Sequence, residues 1–200
     1  MGRRFLIFTI MALICLFTLN GCAGTQPHLQ QFAGKYPVQA CSVGVLPLIN
    51  RSAYSQGDKI LYRVIMTELV IQRPWRLALE GDIRRIYREL RLRPWIQPNP
   101  EQMQIIASRL GVDLLVGGEI LEMEEQVEGD RVNPRLKIQL QVYNSKDGTV
   151  LWSTYHGKQG TDYRKLMHFG LSNTVSELGK KMMKEILRLW EEEELLACIN

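Results

Sequence analysis

The stretch IASRLGVDLLVGGEILEM, residues 106–123, holds the end of a helix, a tight turn and a strand. Met103, Ile106 and Leu110 keep the 3.6-residue spacing of one buried helix face. Gly111 follows as the C-terminal cap, because a residue without a Cβ enters the left-handed region at no steric cost. Asp113 to Met123 then reads as a strand. Its first half is apolar at consecutive positions, so both of its faces are covered and it lies near the middle of a sheet. A strand of that kind, entered directly from a helix, implies helices layered on a sheet.

Working back toward the amino terminus, Asn99-Pro100-Glu101-Gln102 has Asn to cap, Pro for the first turn and Gln to close a capping box. Upstream, SVGVLPL at 42–48 reads as a short buried strand stopped by Pro47 and Asn50. Ser55 caps a helix with Ile60, Leu61, Val64, Ile65 and Leu69 on one face. Trp75 to Leu79 is a second short strand, and Asp82 begins a helix with Ile83, Ile86, Tyr87 and Leu90 inward.

Toward the carboxyl terminus, MEEQVEGDRVNP at 123–134 reads as a long acidic loop. Arg135 to Asn144 alternates, with Leu136, Ile138, Leu140 and Val142 on one face. Lys146-Asp147-Gly148 turns the chain, and Thr149 to His156 returns as the partner strand. Thr174 and Glu177 frame a capping box for a last helix, striped by Val175, Leu178, Met182, Ile186 and Leu189. The expectation is an α/β (α+β) sandwich of two or three layers, a mixed sheet of about five strands with helices packed on it, formed by residues 41–200 as one domain. The acidic run Glu191 to Glu194 sits at the wrong end of that helix for its dipole, and fraying is expected beyond Trp190.

The first residues speak to location. Arg3 and Arg4 precede an uncharged stretch from Phe5 to Leu19, which is short for a membrane-spanning helix and suits a signal peptide over residues 1–21. Leu19-Asn20-Gly21-Cys22 resembles the bacterial lipobox, although Asn20 is an uncommon occupant of its slot. That resemblance implies cleavage before Cys22 and its modification with diacylglycerol and a third acyl chain such as palmitate. Buried acyl chains of that number anchor a domain stably without spanning the bilayer. Ala23, where inner-membrane lipoproteins often carry Asp, points to the periplasmic face of the outer membrane, with the inner membrane left open. Residues 22–40 then form the lipidated cysteine and a short polar tether broken by Pro27 and Pro37.

Of the remaining cysteines, Cys41 and Cys198 either pair in an oxidising periplasm or stay as two buried thiols. With Arg3 and Arg4 gone, the 25 basic residues fall to 23 and scarcely outnumber the 21 acidic ones, and nothing in the pattern calls for nucleic acid.

VGVLPLINRS at 43–52, ALEGDIRRIYREL at 78–90, IASRLGVDLLVGGEI at 106–120 and YNSKDGTVLWS at 143–153 together resemble envelope proteins with a TolB amino-terminal-like or CsgG-like domain. The shared elements are a first strand ending in Leu-Pro, Leu-Gly-x-Asp before the central strand, and a Gly-x-x-x-Trp hairpin. They have structural jobs: Gly111 for the turn, Gly117 and Gly118 for close approach of a helix, Trp152 to fill the gap between them. The family implies a scaffold with no catalytic centre. Within it the 18-residue tether favours a PelC-like arrangement: a lipid-anchored, oligomeric periplasmic protein assisting export or assembly of an envelope polymer such as exopolysaccharide, together with other envelope export or assembly proteins. The alternative is an LpoB-like monomer that regulates a cell-wall synthase or a flagellar machine.

Chemistry leaves few marks. The three histidines, His28, His156 and His168, form no metal or hydrolase motif, although His156 and His168 could share a site with Asp162. No cofactor, metal or catalytic residue is expected, and the chain is read as a non-enzyme. Arg-Pro-Trp occurs at 73–75 and 93–95, and tryptophan beside arginine suits a headgroup region. Trp95, Trp75, Arg91 and Arg93 are therefore the membrane-contact candidates, a core position in a strand being the better fit for Trp75 and an equal one for Trp95. Arg84, Arg85 and Arg88 extend the basic side, and Glu119, Glu122, Glu124, Glu125 and Glu128 supply the opposite charge, compatible with head-to-tail contacts between copies.

Overall fold

The computed structural model describes residues 25–32, 36–72, 75–129, 131–165 and 169–198. Nine strands and four α-helices appear among them. The strands are β1 (His28–Gln31), β2 (Val38–Gln39), β3 (Ser42–Val45), β4 (Ile49–Asn50), β5 (Arg76–Leu77), β6 (Leu114–Glu128), β7 (Arg131–Asn144), β8 (Val150–Gln159) and β9 (Leu196–Ala197). The helices are α1 (Gly57–Gln72), α2 (Glu80–Glu89), α3 (Pro100–Leu110) and α4 (Val175–Glu192).

The main sheet runs β1-β8-β7-β6-β3-β5, with β4 continuing alongside β6. β3 is parallel to β5 and β6, whereas β6, β7, β8 and β1 pair antiparallel, so the sheet is mixed. Alternation along β3 and β6 divides the interior. Val43, Val45, Leu114 and Val116 face α1 and α4, and Leu46 and Leu115 face α2 and α3. The β6–β3–β5 part is therefore covered on both faces, while the β7–β8 part carries helices on one face and polar Gln139, Gln141 and Ser153 on the other.

The central stretch forms as its residues dictate. Asn99 accepts from the Gln102 N–H and Gln102 returns the bond, closing the capping box. Gly111 ends the helix with φ +62. Asp113 then ties the turn to β3: its carboxylate accepts from the Cys41 N–H, the Ser42 N–H and the Ser42 hydroxyl at 2.9, 3.0 and 2.7 Å.

Four expectations are corrected. The acidic stretch 123–134 is no loop; β6 continues to Glu128 and pairs through a tight turn with β7, register Val127↔Val132. Pro134 fits there because it lies beyond the last pairing of β7 with β8, where a missing N–H breaks no ladder on that side. The tether is largely structured as well, since β1 adds to the edge of the sheet, β2 pairs with β9, and the Tyr36 hydroxyl donates to the Leu151 carbonyl at 2.7 Å. The tail beyond Trp190 is held by buried Leu195, by the β2–β9 pair and by a Cys41–Cys198 disulfide. Trp152 packs edge-on between Tyr36 and Trp190, not beside Gly117, whose space is filled by Tyr143 and Leu46 on the other face. In the last three cases the partner that settles the matter is distant in sequence.

Candidate functional site

Cys22 and His168 lie outside the described residues. Trp75 is 9% exposed and packs into the core next to β5, so it is unavailable to a bilayer; its side chain points inward from the strand it precedes. Trp95 is different. It is 63% exposed in the connection between α2 and α3, with exposed Ile96, Arg91 and Arg93 around it.

The acidic block is largely answered within the chain and the basic block in part, since Arg88, Arg91 and Arg93 have no ion pair among the described residues. Arg84 pairs with Glu80, Arg85 with Asp82, and Arg109 with Glu89. On the acidic side Glu119 pairs with Arg51, Glu122 with Lys137, Glu124 with Arg135, and Glu125 accepts from the Val175 N–H at the start of α4. These contacts weaken the case for charge-driven contacts between copies, because exposed pairs already neutralised have little to offer a neighbour.

A buried polar cluster lies between β8 and α4. Trp152, Thr154, His156 and Lys158 occupy alternate positions facing inward, and a polar core position must find a partner. Thr154 accepts from the Trp190 indole at 2.8 Å, and His156 Nε2 meets Glu185 Oε2 at 2.6 Å. Burial pushes the Glu185 carboxyl up, but the His156 hydrogen bond and the nearby Lys158 outweigh it and hold the group below its ordinary value. Lys158 and Lys181 both lie over the Tyr163 ring. Asp162 does not join His156: its carboxylate accepts from the Gln159 N–H in the turn after β8. The His156 side chain is 0% exposed and that of Glu185 21%, and their bond braces α4 on the sheet.

The second feature is a crevice of about 490 Å³ between α1 and α2. Its apolar wall is formed by Leu48, Ile83 and Tyr87, and Trp95 stands at its rim. Its polar wall carries Lys59, Arg63, Arg84 and Arg88 against Asp58 and Glu80. Of the residues singled out in the sequence it includes Trp95, Arg84 and Arg88, and it leaves out Trp75, Arg91 and Arg93. Arg63 and Tyr62 escaped notice because they belong to the crevice only once α1, α2 and the loop before α3 meet. Within α1 itself the visible signal is a tyrosine next to the apolar stripe. Among the described residues no group of three or more His, Cys, Asp or Glu side chains is placed to hold a metal ion. Nor is any helix there long and apolar enough to cross a membrane.

No protein-family model matches the sequence, and no curated relative does. Solved structures do match. The PelC dodecamer from Paraburkholderia phytofirmans superposes with a TM-score of 0.54 at 13% identity, over 81% of this chain and 95% of that one. Lipoprotein GNA1162 from Neisseria meningitidis gives 0.55 at 13%, over 76% and 99%. The LpoB C-terminal domain from Salmonella enterica gives 0.46 at 18%, over 60% and 84%, too low to carry weight. At these identities the likeness is one of fold: the chain has a PelC-like fold, and its neighbours indicate no enzyme family.

Proposed function

We propose that this chain is a lipid-anchored accessory protein of the bacterial envelope, joined through Cys22 to the periplasmic face of the outer membrane. It works as an assembly of identical copies and assists export or assembly of an envelope polymer such as an exopolysaccharide. The observation that carries this reading is β1. Strand pairing begins at His28, and the Thr25 hydroxyl already donates to the Gly157 carbonyl. Only Ala23 and Gly24 separate Thr25 from Cys22, a reach of ~10 Å at full extension. A domain held that closely acts at the bilayer surface, which suits a ring seated on the membrane and not a regulator reaching across the periplasm. The PelC-like fold, solved as a dodecamer in Paraburkholderia phytofirmans, supports the assembly. Trp95, with Arg91 and Arg93, is the bilayer contact.

Metabolic labelling with a palmitate analogue tests the anchor: label on the wild-type chain and none on Cys22→Ala is expected, and equal labelling sinks it. Mass measurement of the full chain in mild detergent tests the assembly. A discrete multiple of the protomer is expected, and a monomer at every concentration would instead favour the monomeric regulator of a cell-wall synthase or flagellar machine. Trp95→Ala on an unacylated Cys22→Ala background should weaken liposome binding, and unchanged binding removes Trp95 from the contact.

A further inference from the structure

The strand order β6-β3-β5 creates a point where two connections diverge. The chain leaves the carboxyl end of β3 for α1 on one face of the sheet and leaves β5 for α2 on the other. Open α/β sheets bind ligands at such switch points, because loops departing in opposite directions leave a gap that no helix fills. The crevice between α1 and α2 occupies that gap, and its volume of about 490 Å³ falls within the range of small-ligand sites.

Its charges are unevenly spent. Arg84 is paired with Glu80 at 2.5 Å, and Lys59 donates to Gln56 at 2.6 Å. Arg63 on α1 and Arg88 on α2 have no ion-pair partner among the described residues, so two guanidiniums are free on facing walls. A planar fork of N–H donors matches a carboxylate or phosphate. Tyr62, 8% exposed, lines the same crevice through its ring, while its hydroxyl is buried behind the wall. Leu48, Ile83, Tyr87 and exposed Trp95 supply an apolar surface beside these donors.

We propose that the crevice binds a ligand bearing an oxyanion, carboxylate or phosphate, on a ring or chain with an apolar face. Arg63 and Arg88 grip the anion, and Trp95 lies on the body. This chemistry comes from two sources, an anionic phospholipid headgroup or an acidic sugar.

Trp95 is 63% exposed, against 9% for Trp75, 0% for Trp152 and 2% for Trp190, so acrylamide quenching of the full chain reports mainly on Trp95. The chain is held in nanodiscs of phosphatidylcholine, with and without phosphatidylglycerol, and digalacturonate or neutral lactose is added to the discs without phosphatidylglycerol. Protection of Trp95 by phosphatidylglycerol identifies a lipid; protection by digalacturonate and not by lactose identifies an acidic sugar. Arg63→Gln and Arg88→Gln should each weaken that protection by about tenfold. No protection by either anionic probe, protection equal to that by lactose, or full protection in the Arg63→Gln/Arg88→Gln double variant overturns the proposal. A monomeric chain that still binds the anion would sink the assembly reading and leave this one standing.

Discussion

His156 Nε2 lies 2.6 Å from Glu185 Oε2 and joins the inward face of β8 to the middle of α4, with the imidazole side chain fully buried. This hydrogen bond replaces an apolar contact at a position where the alternation of β8 points a histidine into the core. Glu185→Gln should therefore destabilise the chain by about 1–3 kcal/mol in denaturant titration, since it weakens a charge-assisted bond to a buried ring.

Acid should act on the same group. The Glu185 carboxyl is held below its ordinary 4.5 in the folded chain, burial being outweighed by His156 and Lys158. A depressed carboxyl contributes stability that is complete above its unfolded value and disappears as pH falls through the folded one. The wild-type midpoint should therefore drop below about pH 4.5 more steeply than that of Glu185→Gln, measured as thermal midpoint against pH.

Asp113 offers a test of the turn between α3 and β6. Its carboxylate receives both N–H groups of Cys41 and Ser42, and the Ser42 hydroxyl in turn accepts from the Asp113 N–H at 3.0 Å. Asp113→Ala should cost about 1–2 kcal/mol, with Asp113→Asn losing less because it keeps one acceptor. Equal stability of all three chains would show that the link is dispensable.

The Cys41–Cys198 disulfide closes a loop with a sequence separation of 157 residues. Cys41→Ser/Cys198→Ser should lose about 2–4 kcal/mol, chiefly through the freedom regained by the unfolded chain. Hydrogen exchange should then rise first in β2 and β9, which this link holds together.

Gly148 sits at φ +68 in the β7–β8 turn, and a Cβ there would overlap the Pro100 carbonyl oxygen at the start of α3. Gly148→Ala should cost at least about 1 kcal/mol by calorimetry, more than the same change at Gly81, which has open space around it.

Much of this was legible in residue order. The Asn99–Gln102 box, the Gly111 cap, the inward stripe of α4 and the alternation of β7 all depend on neighbours within a few positions. The long β6–β7 hairpin was not, because glutamates have little strand preference, and those at 124 and 125 are met by Arg135, Tyr54 and the Val175 N–H from elsewhere in the chain. Of the site, Trp95 stood out as an exposed aromatic beside arginines and Arg88 as part of the basic side of α2, whereas Tyr62 and Arg63 look like ordinary helix residues.

What the sequence determined by itself was the set of local elements, their order and the layered class, since capping, period and turn chemistry act over one or two helical turns. Tertiary structure decided the rest: that residues 28–31 become an edge strand, that Trp75 is core and Trp95 is not, and that His156 meets Glu185. Each of these depends on a side chain or strand edge brought from dozens of residues away. The burial and hydrogen bonding gained there outweigh what the local residues would do alone.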